Sequence, residues 1–138
     1  MILSVLSHTI SERFPDADIH KEQASHIDRP AFYITVLKDE QRKSIGNRYV
    51  RDSSLVIRYF PEKDDSSSYE ELRCIADILY FITEKMTYQG IYLRGLERNS
   101  RIEDNVLQFF LRIQQPLKRP EDVSKMETIE TNVKKKGE

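Results

Sequence analysis

Three histidines, His8, His20 and His26, and one cysteine, Cys74, are the side chains of this 138-residue chain that could ligate a metal or act as a nucleophile. A metal site needs close ligand spacing, and no histidine stands three or four positions from another. His8 falls on the polar side of an N-terminal helical pattern, so the three read as loop or surface histidines. A single cysteine allows no internal disulfide and no multi-cysteine zinc site. Next to Ile75 on a helical stripe, Cys74 reads as a small buried hydrophobe rather than a nucleophile, since no base or electropositive setting accompanies it.

Acidic clusters are the second source of possible chemistry. Asp64-Asp65 and Glu70-Glu71 flank a helix start, where the macrodipole favours negative charge. Glu103-Asp104-Asn105 precedes a strand-like run, VLQFFLRI. Adjacent carboxylates on a turn diverge, whereas Asp and Asn tolerate the left-handed conformations of tight hairpin turns. That cluster therefore reads as a turn. No GxGxxG, P-loop, HExxH, GxSxG or EF-hand pattern occurs in the sequence. The residues thus point to no catalytic, cofactor-binding or metal site, and the chain reads as a non-enzyme.

A third group could bind rather than react. Arg42, Lys43, Arg48, Arg51 and Arg58, with Tyr49 among them, combine cation and aromatic in a way that suits a protein interface or stacking on nucleic acid. Asp39, Glu40 and Asp52 are interleaved and dilute a phosphate footprint. The whole chain carries 22 Lys plus Arg against 23 Asp plus Glu, so it lacks the basic excess of a general nucleic-acid or lipid binder. A solvated hairpin surface would explain the same residues without any partner.

The elements that position these groups follow from periodicity. Apolar residues make up 38% of the chain and charged residues 33%, the balance of a charge-rich globular protein with a real core. The N-terminal MILSVLSHTI lacks a basic leader, and polar residues interrupt it, so it reads neither as a signal peptide nor as a membrane span; the default compartment is the cytoplasm. Leu3, Leu6, Ile10 and Phe14 predict a helix over 2–14, ended by Pro15. A short strand is expected around Ile19. AFYITVLK, opened by Arg29-Pro30, alternates as a strand, and the polar DEQRKSIGN reads as a hairpin tip. A second long strand is expected over 48–60, with Leu55, Ile57 and Tyr59 on one face and Pro61 ending it.

Ser67 with Glu70, or Ser68 with Glu71, fits a capping box. Leu72, Ile75, Ala76, Leu79, Ile82 and Met86 then make a helical stripe to about Lys85, which Gln89-Gly90 stops. Strands are expected over 91–102 and 106–114, the latter with Leu107, Phe109, Leu111 and Ile113 on one face. The predicted order is α-β-β-β-α-β-β: an α+β domain over residues 1–115, mainly an antiparallel sheet of four to five strands with two helices on one face. Residues 116–138 hold two prolines, eleven charges and no aromatic, the composition of a disordered tail. Val123, Met126 and Val133 could instead line a helix that forms against a partner.

In that order, Phe14-Pro15, Arg29-Pro30-Ala31-Phe32-Tyr33-Ile34, Leu55-Val56-Ile57-Arg58-Tyr59-Phe60-Pro61, the helix from Glu71-Leu72 to Leu79, and Glu103-Asp104-Asn105-Val106-Leu107-Gln108-Phe109 resemble the tail terminator family of phages and prophages of Gram-positive bacteria. The last stretch is similar to a pattern of acidic-Asp-Gly-Val-Leu-x-Phe, with Asn105 in place of the Gly. The resemblance implies a structural subunit that forms a ring, usually sixfold, on the end of the tail tube, stops its polymerisation and offers a surface to the head–tail connector. It implies no catalysis and no cofactor, and a place in the host cytoplasm during assembly and then in the virion. Its implied partners are further copies of itself, the tube protein and the connector, with the free protein able to be monomeric. Arg42, Lys43, Arg48, Tyr49, Arg51 and Arg58 are then the expected interface residues. Two alternatives remain at this point, a neighbouring head–tail connector and a small nucleic-acid-binding regulator using the 42–58 basic hairpin.

Overall fold

Leu6 and Ile10, one helical turn apart, are fully buried together with Val5 on a first helix, α1 (Ile2–Arg13). The structure is a computed structural model that describes residues 2–21, 30–62 and 68–118. Beyond α1, Phe14 still donates its amide to the Ile10 carbonyl at 2.8 Å, and its ring lies 5.0 Å from that of Phe32. Pro15 follows, and the chain leaves the helix where proline restricts the preceding residue.

The strands are β1 (Asp18–His20), β2 (Ala31–Lys43), β3 (Arg48–Phe60), β4 (Met86–Tyr88), β5 (Ile91–Leu93), β6 (Gly95–Glu103) and β7 (Val106–Lys118), and the second helix, α2 (Tyr69–Ile82), lies between β3 and β4. Five strands form one sheet in the order β1-β2-β3-β7-β6, and β4 pairs with β5 in a separate two-stranded sheet. The fold is α+β and follows the expected order, with the short β4 added after α2 and the strand expected over 91–102 divided into β5 and β6. The pairing of β1 with β2 is parallel, from Asp18 opposite Ala31 to His20 opposite Tyr33, so the sheet is mixed.

By internal packing the chain divides into two units. The larger holds Met1–Glu40 with Asp52–Gln114, and the smaller holds Gln41–Arg51 with Gln115–Glu138. In the larger unit, period-two alternation puts Phe32 and Ile34, then Leu55, Ile57 and Tyr59, then Leu107, Phe109, Leu111 and Ile113 into one core. Both helices bury their apolar stripes against it, through Val5, Leu6 and Ile10 and through Leu72, Ile75, Ala76 and Leu79. These are the faces that the alternation predicts.

Several local expectations are corrected. The helix α2 ends at Ile82, not near Lys85. Thr83 turns its hydroxyl back onto the Leu79 carbonyl at 2.7 Å, and Gly95 donates its amide to the Thr83 carbonyl at 2.8 Å. Arg98 donates to the Tyr80 carbonyl at 2.6 Å. The last helical carbonyls are thus satisfied from β6, and another turn of helix is not needed. Met86 is buried in β4, so its place in the helical period is a coincidence.

Gln89 and Gly90, expected to stop the helix, instead form the two-residue turn between β4 and β5, with φ of 51° and 79°. The single strand expected over 91–102 is divided at Arg94, and β6 is bulged between Gly95 and Arg98. Ser68 is the N-cap of α2, but its side chain makes no capping hydrogen bond. Glu71 instead accepts a 2.9 Å bond from the Tyr59 hydroxyl, which ties α2 to β3. Burial, reinforced by this carboxylate, pushes the Tyr59 phenol well above its ordinary pKa and keeps it protonated. Ser67 lies outside the described residues.

The acidic cluster is the turn it was read to be. Glu103 pairs with Val106, leaving Asp104 and Asn105 as the two central residues, with φ of 53° and 61°. Positive φ at both is the combination that matches the twist of a tight hairpin. Changing Asn105 to Gly should therefore be neutral or stabilise by up to about 0.5 kcal/mol. Urea denaturation checks this, and a clear fall in midpoint would mean that the Asn side chain does more than tolerate the turn. After this turn β7 runs past the expected end at Gln114, through Pro116 to Lys118. Residues 119–138 of the expected tail lie outside the described residues.

Candidate assembly surface

The two long strands of the hairpin carry the expected binding residues. β2 extends five residues beyond the expected Lys38, because exposed charged side chains sit comfortably on a solvated strand and are paired across it. In the smaller unit, Arg51 donates to the Gln41 side chain at 2.9 Å. The tip closes through the Ser44 amide on the Arg48 carbonyl at 2.8 Å, with Gly46 at φ +66°. Arg42, Lys43 and Arg48 are exposed there, and Tyr49 and Arg51 are half-buried. Ile45 is 85% exposed at the tip, a large apolar side chain offered to water between cations. Arg48, Tyr49 and Val50 also line a 340 Å³ cleft with Pro116, Leu117 and Lys118. Such a mix of aromatic, arginine and exposed apolar surface has the composition of an interface centre.

Arg58 lies farther along β3. It belongs to the larger unit and is half-buried. All six expected residues thus lie on β2 or β3, five of them in the smaller unit and Arg58 in the larger.

Sequence reading missed the edges of the large sheet. Its strand order leaves β6 at one margin. At the other, among the described residues, β1 covers β2 only as far as Tyr33, and every residue from Thr35 to Lys43 is exposed. Val36 and Leu37, 41% and 52% exposed, lie in that uncovered stretch, and Leu96 on β6 is 40% exposed. Strand pairing between distant segments decides which strands are marginal, and no short sequence signal carries it.

The chemical candidates disperse. His8 stacks on Tyr88 with ring centroids 4.2 Å apart and has Glu12 at 3.7 Å. His20 packs against the Tyr33 ring at 4.7 Å. Among the described residues no three His, Cys, Asp or Glu side chains gather as metal ligands. His26 and Asp64-Asp65 lie outside those residues. Cys74 is exposed, contrary to its expected burial: the buried stripe of α2 runs Leu72, Ile75, Ala76, Leu79, and Cys74 stands off it beside the exposed Arg73. No described helix is long and apolar enough to cross a membrane.

Among the described residues, fold and surface make a small α+β protein with an exposed cationic hairpin and exposed residues along the margins of its sheet. Residues 2–125 match the phage tail terminator protein family, and the chain belongs to that family, the one its sequence resembles. It is a structural protein of the phage tail. No curated protein sequence matches the chain.

Proposed function

We propose that this protein caps the tail tube. Copies form a ring, six in the reading taken from the family, on the last ring of tube protein; the ring blocks further addition and presents the surface to which the head–tail connector joins. The observation that carries this reading is the family match across residues 2–125, which spans every described helix and strand. The hairpin supports it: Arg42, Lys43, Arg48, Tyr49 and Arg51 lie within a few residues of an exposed Ile45 on the same hairpin. We assign these residues, with Arg58 as a separate half-buried position, to contacts with the tube or a neighbouring copy. Assembly takes place in the host cytoplasm.

Termination can be tested with purified components. Added to polymerising tube protein, this protein should shorten the tubes in proportion to its concentration. The Arg48→Glu, Arg51→Glu double variant should fold normally by circular dichroism and lose most of that effect. Unchanged tube lengths with the wild-type protein would contradict capping. Full activity of the double variant would remove only the hairpin from the interface.

A further inference from the structure

The two open edges of the large sheet are complementary to each other. Lys38 and Glu40 are exposed on the uncovered part of β2, and Arg101 and Glu103 are exposed on β6. Each pair is spaced by two, so each pair lines one face of its strand. Antiparallel pairing sets Lys38 opposite Glu103 and Glu40 opposite Arg101, two attractive pairs. Parallel pairing in the same register sets Lys38 against Arg101 and Glu40 against Glu103, two repulsive ones. Directly opposed charges on neighbouring strands interact at close range, so this pattern selects a direction as well as a partner.

We infer that β2 of one copy adds to β6 of the next, antiparallel, with Glu40 opposite Arg101 and Lys38 opposite Glu103. This names the contact between copies in the ring proposed above and rests on that reading. Both halves of the contact are carried by one chain, so a second copy is the occupant that fits. The contact uses a different surface on each copy, and such an interface propagates until rotation closes it into a ring.

A marginal strand can recruit another strand through its outward amides and carbonyls. Here Lys38 and Glu40 pair with each other at 3.4 Å, and Arg101 covers the Phe110 ring at 5.7 Å. These are exposed contacts of small energy, easily exchanged for contacts between copies. Beside β6, a 390 Å³ cleft lined by Tyr69, Arg73, Asp77, Tyr80, Ser100 and Arg101 leaves room for the incoming side chains.

The test uses a Cys74→Ser background, which removes the exposed native thiol. Glu40→Cys with Arg101→Cys should give a ladder of disulfide-linked oligomers under mild oxidation, both in concentrated protein and on isolated tails. Lys38→Cys with Arg101→Cys, the pair that parallel strands would join, should give little. Separately, Lys38→Glu with Glu40→Lys should abolish ring formation on tails, and adding Arg101→Glu with Glu103→Arg should restore it. All four positions are exposed, so circular dichroism should show every variant folded. A ladder of equal yield from both cysteine pairs, a ladder from neither, or a fourfold swap that fails to restore rings would overturn the inference. Tails of normal length without the 40–101 link would remove this contact while leaving termination standing.

Discussion

Replacing Phe109 with alanine is expected to destabilise the protein by about 3–5 kcal/mol, the range for deleting a fully buried aromatic. Phe109 is wholly buried near the start of β7, and its ring meets that of Tyr80 edge-on at 4.8 Å. It therefore joins the sheet to α2, and its loss leaves a cavity that two rigid elements cannot both close. Small domains are stable by about 5–15 kcal/mol, so the variant would lose a large part of its margin. Phe110 supplies the control. One residue on, it faces the other side of the sheet, is half-buried, and carries the Arg101 guanidinium at 5.7 Å. Phe110→Ala should cost clearly less. Chemical denaturation of the two variants checks the face assignment, which would be wrong if Phe110→Ala were the more damaging.

The second large effect is expected at Gly95, for a reason that burial does not supply. A methyl added there would lie 2.8 Å from the Thr83 carbonyl oxygen and 3.0 Å from Cδ of Arg98. The carbonyl cannot give way, because it is held by the Gly95 amide at 2.8 Å where α2 meets β6. Gly95→Ala should destabilise by about 1–3 kcal/mol, as overpacking does. Gly46 separates this mechanism from simple glycine strain. Its Cβ position is open, with nothing within 4 Å, and only its φ of +66° disfavours a side chain. Thermal unfolding of Gly95→Ala that matched wild type would show that the end of α2 is free to move and is not locked by the strand.

How far the fold can be read from sequence depends on whether its cause is local. α1 follows from Leu3, Leu6 and Ile10, and the core faces of β3 and β7 follow from strict alternation at 55, 57, 59 and at 107, 109, 111, 113. The Asp104-Asn105 turn is legible because these residues tolerate positive φ. Met86 misleads because the C-terminus of α2 is set from outside the helix, by Gly95 and Arg98, more than ten residues later. The Gln89-Gly90 hairpin is hidden for a similar reason, since glutamine at a φ of 51° is no turn signal.

The surface divides along the same line. The cationic hairpin shows itself through composition, with Arg42, Lys43, Arg48 and Arg51 close in sequence. Arg58 follows on the same strand and belongs to the larger unit. The complementary edges, Lys38 and Glu40 on β2 and Arg101 and Glu103 on β6, lie some sixty residues apart in the chain. Only the strand order makes them the two margins of one sheet.

Capping of the tail tube is tested most directly by electron microscopy of particles from producing cells that lack this protein. Tails should be overlong, variable in length and without heads, and supplying the protein in trans should restore uniform tails joined to heads. Tails of normal length in its absence would contradict a role in termination.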